Sequence, residues 1–203
     1  MAVMRIALAQ ALSLGMVESI RTALKRGRVL AIPTDTTYGL AADPFSEAGV
    51  QRIHQLKGRS SSKALPVLIA GTHELDRLGV VVSPELRARL ERIWPAPLTM
   101  VLEVRAPFAA TGGALSVAVR VPDHEGLRAL ITAVGPLTAT SANPSGAPSA
   151  TSAEETARLF GDGLAFVLDG GPSSSTLPST LVEGREDPPR VLRIGLYEWN
   201  ASV

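Results

Sequence analysis

Short apolar runs rich in valine, isoleucine and leucine recur along the chain, and segments with helical periodicity fill most of the gaps between them. This alternation is typical of an α/β fold, in which helices cover a sheet whose strands are buried on both faces. The sequence therefore predicts an α/β sheet covered by helices. The expected strands are Arg28–Pro33, Leu65–Ala70, Leu98–Val104, Ser116–Val121, Pro136–Thr140, Leu164–Asp169, Thr180–Glu183 and Val191–Ile194.

Several helix starts are visible as capping residues. Serine and aspartate are favoured at the N-cap because their side-chain oxygens accept hydrogen bonds from the free N–H groups of the first turn. We expect helices to start at Ser46, at Ser83 before a proline, at Asp123, and at Ser152, where Glu155 completes a capping box.

The N-terminal segment contains an apolar run, IALAQALSLGM, that partly resembles the hydrophobic part of a secretory signal. Gln10 and Ser13 interrupt this run, and it continues into a pattern of apolar residues at helical spacing that ends at Gly27. We therefore expect an amphipathic helix here and not a signal peptide. No segment reaches the roughly 20 apolar residues that a transmembrane helix needs, so no membrane association is expected.

Length and composition favour one domain. With 203 residues, of which 45% are hydrophobic, the chain can bury a substantial core. The segments Gly170–Pro178 and Gly184–Pro189 are rich in turn-forming residues and are expected to be surface loops of the same domain. We therefore expect a single domain over residues 1–203.

Charge and residue usage exclude several classes of function. A formal charge of +1, from 20 basic and 19 acidic residues, provides no global attraction to nucleic acid or to a membrane surface. The absence of cysteine excludes disulfides, thiolate nucleophiles and cysteine-based zinc sites, and it suits a reducing cytosol. The three histidines are scattered, and neither a P-loop nor a GxGxxG motif is present.

The motif PTDTTYG, residues 33–39, directly follows an expected strand. In an extended segment Thr34, Thr36 and Tyr38 fall on one face because side chains alternate. Open α/β sheets usually bind ligands just beyond the ends of their strands, so this hydroxyl row is a candidate binding surface. The alternative is a threonine-rich turn that satisfies its own backbone, and the sequence leaves both possibilities open.

A cationic loop, HQLKGRSSSK, ends the helix that begins at Ser46. Gly58 is the expected helix terminator, and Lys57, Arg59 and Lys63 cluster around the turn. Cations near a helix C-terminus stabilise the helix dipole, which is reason enough for many such pairs. The alternative is a polyphosphate site, in which arginine makes bidentate contacts and lysine supplies a mobile charge.

A single arginine interrupts the apolar strand SVAVRVP. Alternation places Ser116, Ala118 and Arg120 on one face and three valines on the other. Because an unpaired buried charge is costly, Arg120 needs an anion. That anion is either a structural carboxylate, which is the first expectation, or the carboxylate of a ligand.

The segment PLTATSANPSGAPSAT runs from a strand into a loop of small, uncharged residues. Ser141 and Asn143 share a face of its extended part, while Pro144, Gly146 and Pro148 restrict the loop. Such a bare backbone allows a planar or phosphorylated ligand to approach the main-chain N–H groups closely. An ordinary surface loop is the alternative.

Taken together and in order, these segments resemble the YrdC-like family, the threonylcarbamoyl-AMP synthases. The matching stretches, from about residue 33 to residue 195, are PTDTTYGLAADP, IHQLKGR, ALPVLI, WPAPLTMVL, SVAVRVPDH, PLTATSANPSGAPSAT, FVLDGG, STLVE and VLRIG. The resemblance implies a twisted, mixed β-sheet flanked by helices, with a concave, positively lined cavity. It also implies ATP-dependent synthesis of threonylcarbamoyl-adenylate from L-threonine and bicarbonate, with release of pyrophosphate. Because the chain ends soon after VLRIG, the resemblance is to the short, single-domain form.

The resemblance also assigns roles to individual residues. The implied catalytic residues are Lys57, Arg59, Ser141 and Asn143. The residues implied to bind L-threonine are Thr34, Thr36, Arg120, Ser141 and Ser179, with the guanidinium of Arg120 against the carboxylate. The residues implied to bind ATP are Lys57, Arg59, Ser61, Ser116, Asn143, Thr151 and Arg193. No protein side chain is expected to ligate a metal.

The implied reaction sets the expected partners. ATP is a substrate, Mg²⁺ is expected to assist, and no organic cofactor is needed. In this family the adenylate passes to a separate transferase complex that modifies tRNA next to the anticodon, so we expect an indirect link to tRNA and a cytoplasmic protein. Two other functions stay open: a YrdC-like RNA-binding module, and carbamoyl or adenylyl transfer to a different acceptor.

Overall fold

The structure is a computed structural model that describes residues 3–59 and 63–200. Its described residues form a mixed α/β fold. The strands are β1 (Met4–Ala7), β2 (Val29–Ile32), β3 (Gly39–Ala41), β4 (Val67–Leu68), β5 (Val80–Val81), β6 (Leu98–Val104), β7 (Ser116–Arg120), β8 (Leu137–Thr138), β9 (Thr140–Ser141), β10 (Leu164–Asp169), β11 (Thr180–Glu183) and β12 (Arg190–Arg193). The α-helices are α1 (Leu8–Ala11), α2 (Leu14–Lys25), α3 (Glu47–Lys57), α4 (Pro84–Ile93), α5 (Glu125–Val134) and α6 (Ala153–Phe160).

The strands are divided between two sheets, and both sheets are mixed. The first has the order β1-β10-β2-β3-β9, with β1, β10 and β2 parallel and the last two strands antiparallel to their neighbours. The second has the order β12-β11-β6-β7-β4-β8, and β5 pairs with β6 beside this path. The predicted α/β class with mixed strand pairing is confirmed, while the division into two sheets was not predicted.

Most strand predictions are confirmed within a residue or two, but the segment Pro136–Thr140 is not one strand. Leu137 and Thr138 pair with β4 in the second sheet, whereas Thr140 and Ser141 pair with β3 in the first. The chain therefore crosses from one sheet to the other at Ala139. This crossing brings the residues that follow β9 to the edge of the first sheet.

Three strands were missed: β1, β3 and the two-residue β5, which pairs with β6. β1 overlaps the start of the N-terminal apolar run and pairs in parallel with β10, so only the later part of that run continues into the predicted helix, α2. β3 begins at Gly39, the last residue of PTDTTYG, and pairs with β2. Each is short, and its apolar residues do not separate it from the neighbouring segment.

Three of the four predicted helix caps are confirmed. The hydroxyls of Ser46, Ser83 and Ser152 each accept a hydrogen bond from the backbone N–H three residues later. The capping box at Ser152 is not formed, because the Glu155 carboxylate accepts from the N–H of Thr151 instead of that of Ser152. The prediction at Asp123 is wrong by one position: α5 begins after His124, whose side chain accepts from the N–H of Leu127. Imidazole nitrogen can accept this bond as carboxylate oxygen would, so residue type alone did not separate the two neighbours.

The apolar core lies on both faces of the first sheet. In β2, Val29 and Ala31 pack into a cluster that continues into α3, α4 and the second sheet. Leu30 and Ile32 pack on the opposite side, under α1, α2 and α5. Burial of both faces explains the unbroken apolar run of this strand, since each fully buried valine, leucine or isoleucine contributes about 1.5–3 kcal/mol.

In the described part of the chain, no helix combines the length and the apolar character needed to cross a bilayer.

Candidate active site

A cavity of about 550 Å³ is lined by residues of both sheets and by the loop that follows α3. Its hydroxyl-bearing side chains are Thr34, Thr36, Thr37, Tyr38, Thr99, Thr140, Ser141, Ser149, Thr176 and Ser179. Its cationic side chains are Arg59, Lys63, Arg120 and Arg193, and no acidic residue is found among the described lining residues. Its volume is typical of a small-molecule site, and its charge favours an anionic ligand.

The PTDTTYG motif forms one wall as a bend and not as the predicted extended segment. The hydroxyl of Thr34 accepts from the N–H of Thr36 at 3.1 Å and donates to the carbonyl of Thr37 at 2.7 Å. A threonine-rich turn that satisfies its own backbone is therefore present, and the same threonines line the cavity. The turn alternative is therefore confirmed, while the binding role of these threonines stays a prediction.

Tyr38 holds this wall against a neighbouring loop. Its ring is fully buried, and its hydroxyl donates to the carbonyl of Gly171 at 2.7 Å and accepts from the N–H of Gly170 at 3.2 Å. Burial raises the pKa of Tyr38, so its hydroxyl remains protonated and able to donate.

Arg120 has a structural anion, Asp35. Its Nη2 lies 3.3 Å from Oδ1 of Asp35, and the two side chains are only 7% and 6% exposed. Burial lowers the pKa of Arg120, and the Asp35 carboxylate opposes that effect. The alternation assumed for PTDTTYG placed Asp35 on the face opposite the threonines. The sequence analysis therefore did not identify Asp35 as the partner of Arg120. Part of the Arg120 charge is consequently neutralised by the protein itself.

Lys57 joins the helix end to the segment after β9. It is 4% exposed, and its ammonium donates to the carbonyls of Ser141 and Asn143, at 2.5 and 2.8 Å, and to Oδ1 of Asn143 at 3.1 Å. Burial lowers the pKa of Lys57 to about 8, and the nearby charges of Arg59 and Lys63 act in the same direction. The structure thus brings Lys57, Ser141 and Asn143 into direct contact.

Side-chain hydrogen bonds of Ser141 and Asn143 add to the contacts that Lys57 makes with the Ser141–Asn143 segment. The hydroxyl of Ser141 donates to Oδ1 of Asn143, and Nδ2 of Asn143 donates to the carbonyls of Pro144 and Ala147. Ser141 lines the cavity, whereas Lys57 and Asn143, which both hydrogen-bond to Ser141, are not among its described lining residues. Lys57 therefore acts on the cavity through the segment that it holds.

Arg59 enters the cavity directly after the glycine that ends α3. Gly58 has φ +63°, a left-handed conformation that glycine adopts without strain, and this turn redirects the chain. Nε of Arg59 donates to Nδ1 of His54 at 3.3 Å, and Nη2 of Arg59 is buried without a hydrogen-bond partner in residues 3–59 and 63–200. Ser61, the other predicted residue of this loop, lies outside the described residues.

A second polar group lies across the cavity. The hydroxyls of Thr99 and Ser179 are 2.7 Å apart, and Nη2 of Arg193 donates to the carbonyl of Ser179 at 2.9 Å. Burial lowers the pKa of Arg193. Thr99 was missed by the sequence analysis because, within the apolar strand LTMVLEV, a threonine is also an ordinary strand residue.

Two predicted ATP-binding residues lie apart from this cavity. Ser116 begins β7, on the face of the strand that carries Arg120, but it is not among the described lining residues. The N–H of Thr151 donates to Glu155 and its carbonyl accepts from the N–H of Ser173, so Thr151 ties the start of α6 to the loop after β10. Their roles stay predictions.

The described residues do not form a binding site for a divalent ion by themselves. Among the described residues, no group of three or more histidine, aspartate or glutamate side chains could hold one. The cavity presents hydroxyls and cations instead of the carboxylates that Mg²⁺ prefers. A Mg²⁺ ion that accompanied a nucleotide would be held mainly by phosphate oxygens and water.

Comparison with known proteins identifies close relatives. The family model Sua5_yciO_yrdC, described as "Telomere recombination", matches residues 22–195. A threonylcarbamoyl-AMP synthase of Pyrococcus abyssi is 39% identical over 176 residues, which is 85% of this chain and 52% of that protein. A threonylcarbamoyl-AMP synthase of Thiobacillus denitrificans is 39% identical over 163 residues, which is 79% of this chain and 86% of that protein.

A solved structure supports the same relationship. The crystal structure of Pyrococcus abyssi Sua5 complexed with L-threonine matches with a TM-score of 0.82 at 35% identity, covering 95% of this chain and 56% of that one. The chain spans about half the length of the Pyrococcus abyssi and Bacillus subtilis relatives that it matches. Because the family model covers most of the chain and relatives of this identity align along it, the chain belongs to the Sua5/YciO/YrdC family.

Proposed function

We propose that this chain catalyses the ATP-dependent formation of threonylcarbamoyl-adenylate from L-threonine and bicarbonate. The observation that carries the proposal is one cavity that combines four cationic side chains with a row of hydroxyls and, in its described lining, no acidic group. Cations match the phosphates of ATP, and hydroxyls can orient a small amino acid. The activity named for the relatives and the L-threonine complex of Pyrococcus abyssi Sua5 support the same substrate class.

The reaction needs positioning and charge compensation more than a protein nucleophile. The amine of threonine adds to bicarbonate, and loss of water gives a carbamate. A carbamate oxygen then forms a bond to the α-phosphorus of ATP while the bond to the β-phosphate oxygen breaks, so that pyrophosphate leaves. Holding two anions together and neutralising the charge on the departing pyrophosphate are the contributions that fixed cations make best.

Residue roles in this proposal follow the geometry. Arg59 lines the cavity and its Nη2 has no hydrogen-bond partner within residues 3–59 and 63–200, so this side chain is assigned to phosphate. Lys57 fixes the Ser141–Asn143 segment, which borders the cavity. Arg120 would meet the threonine carboxylate with its charge already shared with Asp35, so that contact is expected to orient threonine more than to bind it tightly.

The remaining assignments of substrate contacts are part of the proposal. Threonine would lie near Thr34, Thr36, Ser141 and Ser179, and ATP near Lys57, Asn143, Thr151, Ser116, Ser61 and Arg193. We further propose that residues 1–203 act as one catalytic domain, that ATP binds with Mg²⁺, and that the product passes in the cytoplasm to a transferase complex acting on tRNA.

The direct test measures pyrophosphate release from ATP with threonine or bicarbonate omitted in turn. We expect release only when all three substrates are present, and a product with the mass of threonylcarbamoyl-adenylate. R59A should lower the rate at least about 100-fold, because it removes a cation from the phosphate site. R52A is the matched control, since Arg52 is an exposed arginine of α3, the helix just before Arg59, and lies outside the cavity.

Two results would contradict the proposal. If pyrophosphate release does not depend on threonine, or if a different acceptor stimulates it, threonine is not the substrate. If R59A and R52A release pyrophosphate at the same rate, Arg59 and the cavity that it lines are not the phosphate site. Salt-dependent binding of RNA without any ATP turnover would favour the RNA-binding alternative.

A further inference from the structure

His54 is a buried polar residue that contacts the candidate phosphate-binding arginine. It lies on α3, three residues before Lys57, and is 2% exposed. Its Nδ1 accepts a hydrogen bond from Nε of Arg59 at 3.3 Å, and its backbone carbonyl accepts from the N–H of Arg59 at 3.1 Å. Arg59 is therefore bound to His54 by both its main chain and its side chain.

These contacts define the protonation state of the imidazole. Arginine can only donate hydrogen bonds, so Nδ1 must accept, and the ring must be neutral with its proton on Nε2. Burial lowers the pKa of His54, and the charge of Arg59 lowers it further, so both favour the neutral ring. The state that the geometry requires is the one that the surroundings stabilise.

The other ring nitrogen, Nε2, indicates that packing alone does not explain a histidine at this position. Nε2 of His54 is buried and has no hydrogen-bond partner among the described residues. An N–H group buried without a partner lowers stability, and an apolar side chain of similar size would avoid that loss. The favourable polar contacts of this side chain are therefore directed to Arg59.

Arg59 gains a fixed orientation from this contact. Its chain leaves the helix at Gly58, and with Nε bound to His54 the plane of the guanidinium is set. Nη2 of Arg59 has no hydrogen-bond partner among the described residues, and Arg59 lines the cavity. A flexible cation that is oriented before its ligand arrives loses less conformational entropy on binding.

We propose that His54 is a positioning residue that, through Nδ1, holds the Arg59 guanidinium in the orientation that binds the phosphates of ATP. The proposal rests on the proposed function for the identity of the anion. The hydrogen bond itself does not depend on that function. Nothing in the sequence distinguished His54, because a lone histidine in a helix is usually a structural residue.

Two substitutions separate positioning from packing. H54N keeps an acceptor oxygen near the place of Nδ1, whereas H54L keeps the bulk and removes the acceptor. For H54L we expect KM for ATP to rise on the order of tenfold, the typical effect of losing a hydrogen bond to a charged group, with a smaller change in kcat. For H54N we expect KM for ATP within about threefold of the unsubstituted protein.

Thermal unfolding separates positioning from packing. H54L removes the N–H that has no partner among the described residues, but it also removes the acceptor for the Nε–H of Arg59, so the two effects oppose each other and its Tm should change little even though ATP binding is weaker. A lower Tm with an unchanged KM for ATP would make His54 a structural residue and overturn the proposal. Equal impairment of H54N and H54L would also overturn it, because the acceptor would then be irrelevant.

The hydrogen bond can be observed without any turnover. In nitrogen-15 spectra of the ligand-free protein, the Nε–H of Arg59, assigned with R59K, should exchange slowly with solvent, and this protection should be lost in H54L and retained in H54N. Fast exchange in the unsubstituted protein would refute the contact, even if the substituted proteins failed to fold. A protected Nε–H in a protein without threonine-dependent turnover would instead refute the proposed function alone.

Discussion

Raising the pH should weaken ATP binding and stabilise the fold at the same time, because both properties depend on the ammonium of Lys57. Burial lowers the pKa of Lys57 from its ordinary value of 10.5 to about 8. At pH 7 the ammonium has a proton for each of its three oxygen partners on Ser141 and Asn143. The neutral amine has only two protons and no charge, so deprotonation weakens its hold on the segment beside the cavity.

The magnitudes follow from the pKa. At about 1.36 kcal/mol per pKa unit, the charged form of Lys57 is disfavoured in the folded state by about 3 kcal/mol. Below pH 8 Lys57 carries its proton in both the folded and the unfolded chain, and the fold is destabilised by the full penalty of about 3 kcal/mol. Between pH 8 and 10.5 the unfolded chain binds more protons, so the free energy of unfolding rises with pH. From pH 7 to 9.5 the expected rise is about 2 kcal/mol, while the protonated fraction falls from about 90% to about 3%.

The assay compares the unsubstituted protein with K57M, which keeps the length of the side chain without its charge. Titration calorimetry with ATP should give a Kd that increases through a midpoint near pH 8 in the unsubstituted protein and is weak and nearly constant in K57M. Urea unfolding at the same pH values should show the gain in stability only in the unsubstituted protein. A Kd that stays constant from pH 7 to 9.5, or a midpoint near pH 10, would show that Lys57 is not the buried cation described here.

Three further substitutions test other contacts. D35N should lower the free energy of unfolding by about 3–5 kcal/mol, because it leaves the buried charge of Arg120 without its partner; a loss below about 1 kcal/mol in urea unfolding would contradict this pairing. Y38F should cost about 1–3 kcal/mol and make the Gly171 loop cleave faster in limited proteolysis, since the carbonyl there loses its donor; unchanged cleavage would oppose this. G58A should cost about 1–2 kcal/mol from backbone strain, because Gly58 has a left-handed φ of +63° and no described atom beyond its chain neighbours lies within 4 Å of the added methyl group; unaltered thermal unfolding would exclude the left-handed conformation.

Local features of this fold were predictable because they arise from neighbouring residues. The hydroxyls of Ser46, Ser83 and Ser152 cap the helices that follow them, and the apolar run Leu98–Val104 forms a strand with the predicted bounds. A cap requires only an oxygen and an N–H three residues later. The segment order along the chain was likewise sufficient to indicate the family.

The bend of PTDTTYG shows where local reasoning fails. Alternation predicted an extended row, but the hydroxyl of Thr34 bonds to its own turn, and Asp35 is drawn to Arg120 in another sheet. Pairing with a distant strand also decided that the chain crosses between sheets at Ala139. Neither outcome is encoded in the spacing of residues along one segment.

The sequence by itself determined the secondary-structure class, most helix caps and strands, and the inventory of cations and hydroxyls. Only the tertiary structure decided which of those groups meet: Lys57 with Asn143, Arg120 with Asp35, and Arg59 with His54. Helices and strands are selected by hydrogen bonds and side-chain alternation within a few residues. Ion pairs, burial and the pKa of a buried group depend on segments that are far apart in the chain and become neighbours only when the core is packed.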